Sequence, residues 1–336
     1  MLKLAVVVAA MMLALALAGN AWATQKLEVS QTASPASVTI KVSQAQTDPQ
    51  PAKITIYVPA GYTLNTTQTA GSVIGKTTGT VFARDLNIPL PLEGDVVVDS
   101  PAKYVTNPCS PGTHQAVWIL RLSVAGQTIA LPVYVDSTSG AESPLGSAKL
   151  QVCLGPSDVP AGAPGRSPNG AQLLDATFTV NGVLTPPVGP ARWTAFTTPY
   201  NAGTGTPNAA GTVETRSFVG PGAVTLSAKV TNRKTKRVTL SGRVTQSGLA
   251  VVARVRIFVN NKARFTQATK ADGTYSLALR NTSPRVTTTF FQARVTVGAR
   301  DITATGCAAP TQTGVRCVSA TAGGFTAVSR KVRIRL

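Results

Sequence analysis

Along most of this chain apolar and polar residues trade places one by one, and that period of two constrains the fold more than any other feature. From Val38 it reads Val38, Ile40 and Val42 against Thr39 and Lys41, then Ile54, Ile56 and Val58 against Thr55 and Tyr57. Such alternation sends successive side chains to opposite faces of a strand, one packed and one wet. Similar runs follow at 96–98, 116–124, 128–135, 148–152 and 176–180, bounded by Pro, Gly, Asn or Asp. A series of about seven such short strands predicts a sandwich. Charged residues make up only 13% of the chain, about half the usual share of roughly 25%. Thr and Val favour strands, and helix formers such as Glu and Lys are sparse.

Between Val183 and Glu214 the alternation stops, and Pro186, Pro187, Pro190, Gly203, Gly205, Pro207 and Gly211 punctuate an almost uncharged segment. It reads either as an interdomain linker or as an extended ribbon docked on one domain. Trp193, Phe196 and Tyr200 favour docking, because a free linker gains nothing by exposing large aromatic rings to water. Strand signals resume at 224–230, 237–244, 253–259, 274–279, 288–297 and 325–336, with Asn260-Asn261 and Asp272-Gly273 as tight turns. The expected class is all-β with two antiparallel β-sandwich domains. Their expected bounds are 24–182 and 215–336, with the Pro/Gly/Thr-rich linker or docked ribbon at 183–214.

The first residues carry Lys3, an unbroken apolar run from Leu4 to Ala18, and the small-residue triplet Ala21-Trp22-Ala23. That is the pattern of a secretory signal peptide over 1–23 with cleavage after Ala23. The apolar run falls short of the roughly 20 residues that span a bilayer. No later stretch is apolar enough to serve as a transmembrane anchor in the mature chain. A secreted or cell-envelope location is therefore expected, and there cysteines pair. The four present fall two in each half of the chain, which suggests Cys109 with Cys153 and Cys307 with Cys317 among the three pairings possible. Their wide spacing, the absence of CxxC and the single histidine, His114, argue against a metal site.

Catalytic patterns are weak. His114 stands alone without a GxSxG elbow, so a triad is not expected. Ser100 and Lys103 match an SxxK spacing, but the flanks read as strand and no Lys-Thr-Gly companion occurs. Glu93, Asp95 and Asp99 form the densest acidic cluster; glycosidase or calcium chemistry competes there with acids in ordinary turn positions. No phosphate loop, HExxH or EF-hand pattern appears. The expectation is a noncatalytic protein with no cofactor.

Charge is distributed unevenly. Residues 1–210 hold 11 Lys and Arg against 10 Asp and Glu, whereas 211–336 hold 21 against 3, a net of +18. Arg254 and Arg256 alternate with Val255 and Ile257, and Arg333 and Arg335 with Val332 and Ile334, so each strand presents its arginines on one face. Arg233, Lys234, Lys236 and Arg237 make a basic turn, and Lys262 and Arg264 another. One reading is a soluble positive surface; the other is a face for an anionic envelope polymer or polysaccharide. Specific nucleic-acid binding is not expected, because no recognised motif interleaves base-stacking aromatics with these arginines. Nothing in the sequence specifies an oligomeric state.

The stretch Val238-Thr-Leu-Ser-Gly-Arg-Val-Thr-Gln-Ser-Gly248, the turn Lys270-Ala-Asp-Gly-Thr-Tyr-Ser-Leu-Ala-Leu279, the run Thr287-Thr-Thr-Phe-Phe-Gln-Ala-Arg-Val295 and the closing Ser329-Arg-Lys-Val-Arg-Ile-Arg-Leu336 resemble bacterial extracellular Ig-like modules of the carboxypeptidase regulatory-like, transthyretin-like kind. The usual Pro and Gly before the third strand are replaced by Ala250 to Ala253, and an insertion from Asp301 to Gly324 carries Cys307 and Cys317. The resemblance implies an Ig-like C-terminal sandwich acting as a spacer, adhesive or accessory module. The N-terminal part is similar only to uncharacterised exported bacterial proteins, and no role follows from that. The function expected is binding of an anionic surface polymer by the basic module, with a purely structural or protein-adhesive role as the alternative and a carbohydrate-active enzyme in the N-terminal domain as the weakest.

Overall fold

The computed structural model describes residues 24–124, 126–280, 288–311 and 313–335. The expected signal peptide, 1–23, lies outside the described residues. The chain is almost all β. In order, the strands are β1 (Lys26–Ala33), β2 (Ala36–Ser43), β3 (Pro51–Val58), β4 (Thr63–Leu64), β5 (Val73–Ala83), β6 (Ile88–Asp99), β7 (Ala116–Val124), β8 (Gln127–Ser137), β9 (Ala148–Cys153), β10 (Ala171–Asn181), β11 (Leu184–Thr185), β12 (Ala191–Pro199) and β13 (Val213–Val219). Then follow β14 (Gly222–Val224), β15 (Ser227–Asn232), β16 (Arg237–Gln246), β17 (Leu249–Ala250), β18 (Arg254–Val259), β19 (Lys262–Ala268), β20 (Thr274–Arg280), β21 (Thr288–Val297), β22 (Arg300–Asp301), β23 (Cys317–Ala322), β24 (Phe325–Val328) and β25 (Val332–Arg335).

Thirteen strands form one long sheet in the order β1-β2-β10-β5-β6-β7-β8-β9-β3-β12-β13-β23-β22. Its neighbours pair antiparallel except β13 with β23, which run parallel. The sheet curls until its ends meet, so that its inner faces pack on one another. The Val29 amide donates to Ser217 Oγ (2.9 Å), Ser319 Oγ to the Gln25 carbonyl (2.6 Å) and Thr321 Oγ1 to the Leu27 carbonyl (2.6 Å). Hydroxyls thus satisfy an edge strand that a backbone ladder would otherwise have to cover. Two glycines let the long middle strands come close to their neighbours: a Cβ on Gly75 would stand 1.8 Å from the Thr179 carbonyl oxygen, and one on Gly94 1.5 Å from that of Arg121.

The core of this sheet includes Leu27, Ile40, Trp118, Leu150, Leu184 and Trp193, all fully buried. Trp193 comes from the segment 183–214: Ala191–Pro199 pairs with β3 on one side and β13 on the other, an integral strand of the sheet. The core is not filled throughout. A cavity of about 250 Å³ lies within the curl, lined from eight strands by residues such as Ile54, Val81, Leu92, Leu122, Leu131 and Phe178.

The remaining strands make the second unit. One five-stranded sheet joins β14, β15, β17 and β20 to β16; the other has the order β19-β18-β21-β24, with β25 also on β21. Leu240, Val244, Val255, Ile257 and Ala293, all fully buried, pack the two together as a sandwich. The turns anticipated between its middle strands are present, with Asn260 (φ 49°), Asn261 (φ 67°) and Gly273 (φ 76°) in the left-handed region. Residues 213–219, 300–301 and 317–322 pair within the large sheet, not with the sandwich strands next to them in sequence. The disulfides are Cys109–Cys153, which ties the loop after β6 to β9, and Cys307–Cys317, which closes the base of the insertion.

Arg216 fastens that insertion. Its side chain is 1% exposed, and its guanidinium bonds Glu214 Oε1 (2.5 Å) and the carbonyls of Gly306 (2.9 Å) and Ala309 (3.0 Å). A charge buried at this depth is tolerated only when paired and hydrogen-bonded, and here one strand supplies both partners of the pair.

Candidate functional site

The acids of β6 do not form a cleft. Glu93, Asp95 and Asp99 stand on one continuous strand, where turns at its two ends had been the competing expectation. Lys76 pairs with Asp95 (2.5 Å), and Lys103 with Asp99 (2.7 Å). Leu92, next to Glu93, lines the cavity on the opposite side of the strand. The hydrogen bond from Lys103 holds the Asp99 carboxyl below the usual carboxylate range, against a smaller opposing effect of burial. Burial and the same carboxylate push the Tyr104 phenol up to about 12. Residues 101–104 form a 3-10 turn, so of the two flanks read as strand the second, Tyr104-Val105, is not one, and Lys103 bonds Asp99, not Ser100.

His114 is 2% exposed, with Nδ1 2.9 Å from Asp136 Oδ1 and Nε2 2.9 Å from the Ser110 carbonyl. Its ring lies 4.7 Å from that of Tyr134. Both nitrogens are committed to holding the 105–115 loop over the outer face of β7 and β8. Among the described residues, no cluster of three or more His, Cys, Asp or Glu has metal-site geometry. Nor, among them, is any helix long and apolar enough to cross a membrane.

The basic residues are placed differently. On β18, Arg254 and Arg256 are exposed while Val255 and Ile257 are buried; on β25, Arg333 and Arg335 are exposed around buried Ile334. Both strands flank β21 within the same sheet, so all four arginines share its outer face. β21 adds a fifth: Arg294 stands directly opposite Arg256 in the register. Like charges so placed repel one another, which costs up to about 1 kcal/mol.

Phenylalanine rings lie between these cations. The Arg294 guanidinium stands 4.3 Å from the centroid of Phe258, with Arg256 at 5.9 Å from the same ring, and Arg333 is 5.9 Å from the centroid of Phe290. Each ring face attracts a cation and fixes where its charge is presented. Among the described residues, none of Arg254, Arg256, Arg294, Arg333 and Arg335 forms an ion pair with a carboxylate. The face therefore offers a stripe of uncompensated positive charge with apolar ring surface between the charges.

The turn with Arg233, Lys234, Lys236 and Arg237 belongs to the other sheet, where Arg237 pairs with Arg280. Lys262 and Arg264 lie on the edge strand β19. Sequence reasoning missed Arg294, Phe258 and Phe290. Phe258 completes an Arg-x-Arg-x-Phe alternation on one strand face, a signal present in the sequence; Arg294 joins it only through strand pairing. The sheet extends this interleaving by setting Arg294 over Phe258 and Arg333 beside Phe290.

No protein-family model matches the sequence, and no curated protein matches it either. The reading of function rests on the molecule's own geometry.

Proposed function

We propose that this is a noncatalytic secreted or cell-envelope protein whose C-terminal sandwich binds an anionic polymer, such as an acidic polysaccharide, on the outer face of β18, β21 and β25. The observation that carries this reading is the register pair Arg256 and Arg294, two like charges held side by side over Phe258 with no carboxylate to offset them. Such an arrangement costs stability in the free protein and is relieved by an anion. The spacing suits a repeating ligand: charges alternate along each strand every second residue, about 6.6 Å apart, in place of the single deep pocket a small anion would need. The Ig-like resemblance is supported by the strand arrangement, in which β16 pairs with β15 and β20 while β18 pairs with β21 across the sandwich. Export is supported by the leader pattern and by the two disulfides.

The reading is tested by titrating the full chain with polygalacturonate and with uncharged dextran. Binding to polygalacturonate is expected at low salt, weakening about tenfold or more between about 50 and 200 mM salt as counterions compete. Equal binding to dextran, or none to either polymer, contradicts it; the latter result leaves the structural or adhesive role.

A further inference from the structure

We infer that the cavity inside the curled sheet is a binding site for a single aliphatic chain. The observation is independent of the basic face and lies in the other unit of the protein. The lining comes from β2, β3, β5 to β10 and the loop after β9, and its walls are mainly Val, Ile, Leu, Ala and Phe side chains, with Thr77 and Thr78 on β5. Leu90, Ile129, Leu131 and Leu154 are each only half-buried, as surface turned toward this void.

Water does not suit this space. A buried water needs two to four polar partners, and of the polar side chains lining this mainly apolar space Gln50, Ser167 and Arg166 are already engaged at its rim. Gln50 bonds the Gly155 carbonyl (3.3 Å) and the Leu173 amide (3.0 Å), and Ser167 Oγ bonds the Pro156 carbonyl (3.3 Å). The one charged lining residue, Arg166, is spent on a two-pronged pair with Asp85 (2.6 and 2.9 Å) and on the Val159 carbonyl (2.8 Å). A ligand seated here meets mostly hydrocarbon, with the Thr77 and Thr78 hydroxyls on one wall and no unpaired charge, which selects a largely apolar, uncharged body. An apolar occupant would bury these side chains and gain their packing contacts.

Size narrows the class further. An apolar protein cavity of about 150 Å³ holds benzene, so about 250 Å³ accommodates on the order of ten non-hydrogen atoms. A medium-length alkyl or acyl chain has that bulk and can follow the curve of the sheet. Its way in is the rim formed by residues 154–170 against the β5–β6 hairpin tip. Here Arg166 grips Asp85, and Arg84 reaches Ser157 (3.3 Å) and Gln172 (2.7 Å). At the same tip Leu86 is 51% and Ile88 45% exposed, an apolar threshold beside the rim.

The test is calorimetric titration of the full chain with n-decanol, with mannitol as a polar molecule of similar bulk, followed by thermal denaturation in the presence of each. One decanol per chain is expected, with a raised Tm because the ligand binds the folded state alone. Mannitol is expected to do neither. Two variants that fill the space, Ala176→Phe and Val152→Phe, are expected to weaken decanol binding about tenfold or more while keeping the β-type circular dichroism of the parent. Absence of decanol binding to the parent protein overturns the inference, as does equal binding of mannitol. So does undiminished decanol binding by either variant in a folded state. None of these results bears on polymer binding by the distant arginine face, so the two readings stand or fall separately.

Discussion

Replacing Arg216 by Leu is expected to lower stability by about 3–5 kcal/mol, the cost of leaving one member of a buried ion pair without the other. Glu214 is 4% exposed at its side chain, and its second carboxylate oxygen already has no hydrogen-bond partner. Without Arg216 the whole carboxylate would be stranded, and the Gly306 and Ala309 carbonyls would lose their donor as well. Those carbonyls belong to the inserted segment that delivers β23 to the large sheet, so the damage reaches the closure at β1. The double variant Arg216→Leu with Glu214→Leu removes both charges and is expected to recover most of the loss. Urea denaturation of the parent, the single and the double variants measures this. A single variant within about 1 kcal/mol of the parent would show that the pair does not fasten the insertion.

Trp193→Ala is expected to cost a further large increment, about 3–5 kcal/mol, by opening a cavity in the main core. The indole is fully buried, stacks edge-on to Tyr62 at 5.0 Å between centroids, and donates from Nε1 to the Tyr62 hydroxyl (2.9 Å). Tyr62 in turn donates to Gln31, and burial pushes its phenol up to about 12. Trp193 thus ties β12 to the loop after β3 and, through Tyr62, to β1. Trp193→Phe keeps most of the apolar volume and loses the donor, so a smaller loss of about 1–2 kcal/mol is expected. If the alanine variant denatures with the parent, β12 does not belong to the core of the sheet.

Period-two alternation carried much of this fold. The strands around 38–42, 54–58, 116–124 and 128–135 lie where alternation put them, and so do the two disulfides suggested by cysteine count. Alternation tells which residues share a face, but not what covers that face. Val213–Val219 lies outside the strands that alternation marked, and its Glu214 and Arg216 are buried, with the Gly306 and Ala309 carbonyls of the insertion on the Arg216 guanidinium. Ser217, Ser319 and Thr321, in stretches where no strand was expected, close the sheet against β1. The 183–214 segment hid β12 because its strand of nine residues, Ala191–Pro199, sits among prolines and glycines that signal turns. At the candidate site the same limit applies. Arg254, Arg256, Arg333 and Arg335 were legible strand by strand, but their union with Arg294 on one face, and the meeting of Arg256 and Arg294 over Phe258, is a property of pairing across the sheet. The basic turn at 233–237 was near these residues in the sequence and falls on the other sheet.

That difference allows the functional reading to be tested against bulk charge alone. Two quadruple variants remove the same four positive charges: Arg254→Gln, Arg256→Gln, Arg333→Gln and Arg335→Gln on the sheet face, or Arg233→Gln, Lys234→Gln, Lys236→Gln and Arg237→Gln at the turn. The deciding measurement is the dissociation constant of each for polygalacturonate at low salt. The sheet-face variant is expected to lose about thirtyfold or more in affinity and the turn variant less than about threefold, because contact charges set the strength of binding and distant ones only steer it. Equal losses in the two variants would mean that net charge alone attracts the polymer and that the arginine face is not its site.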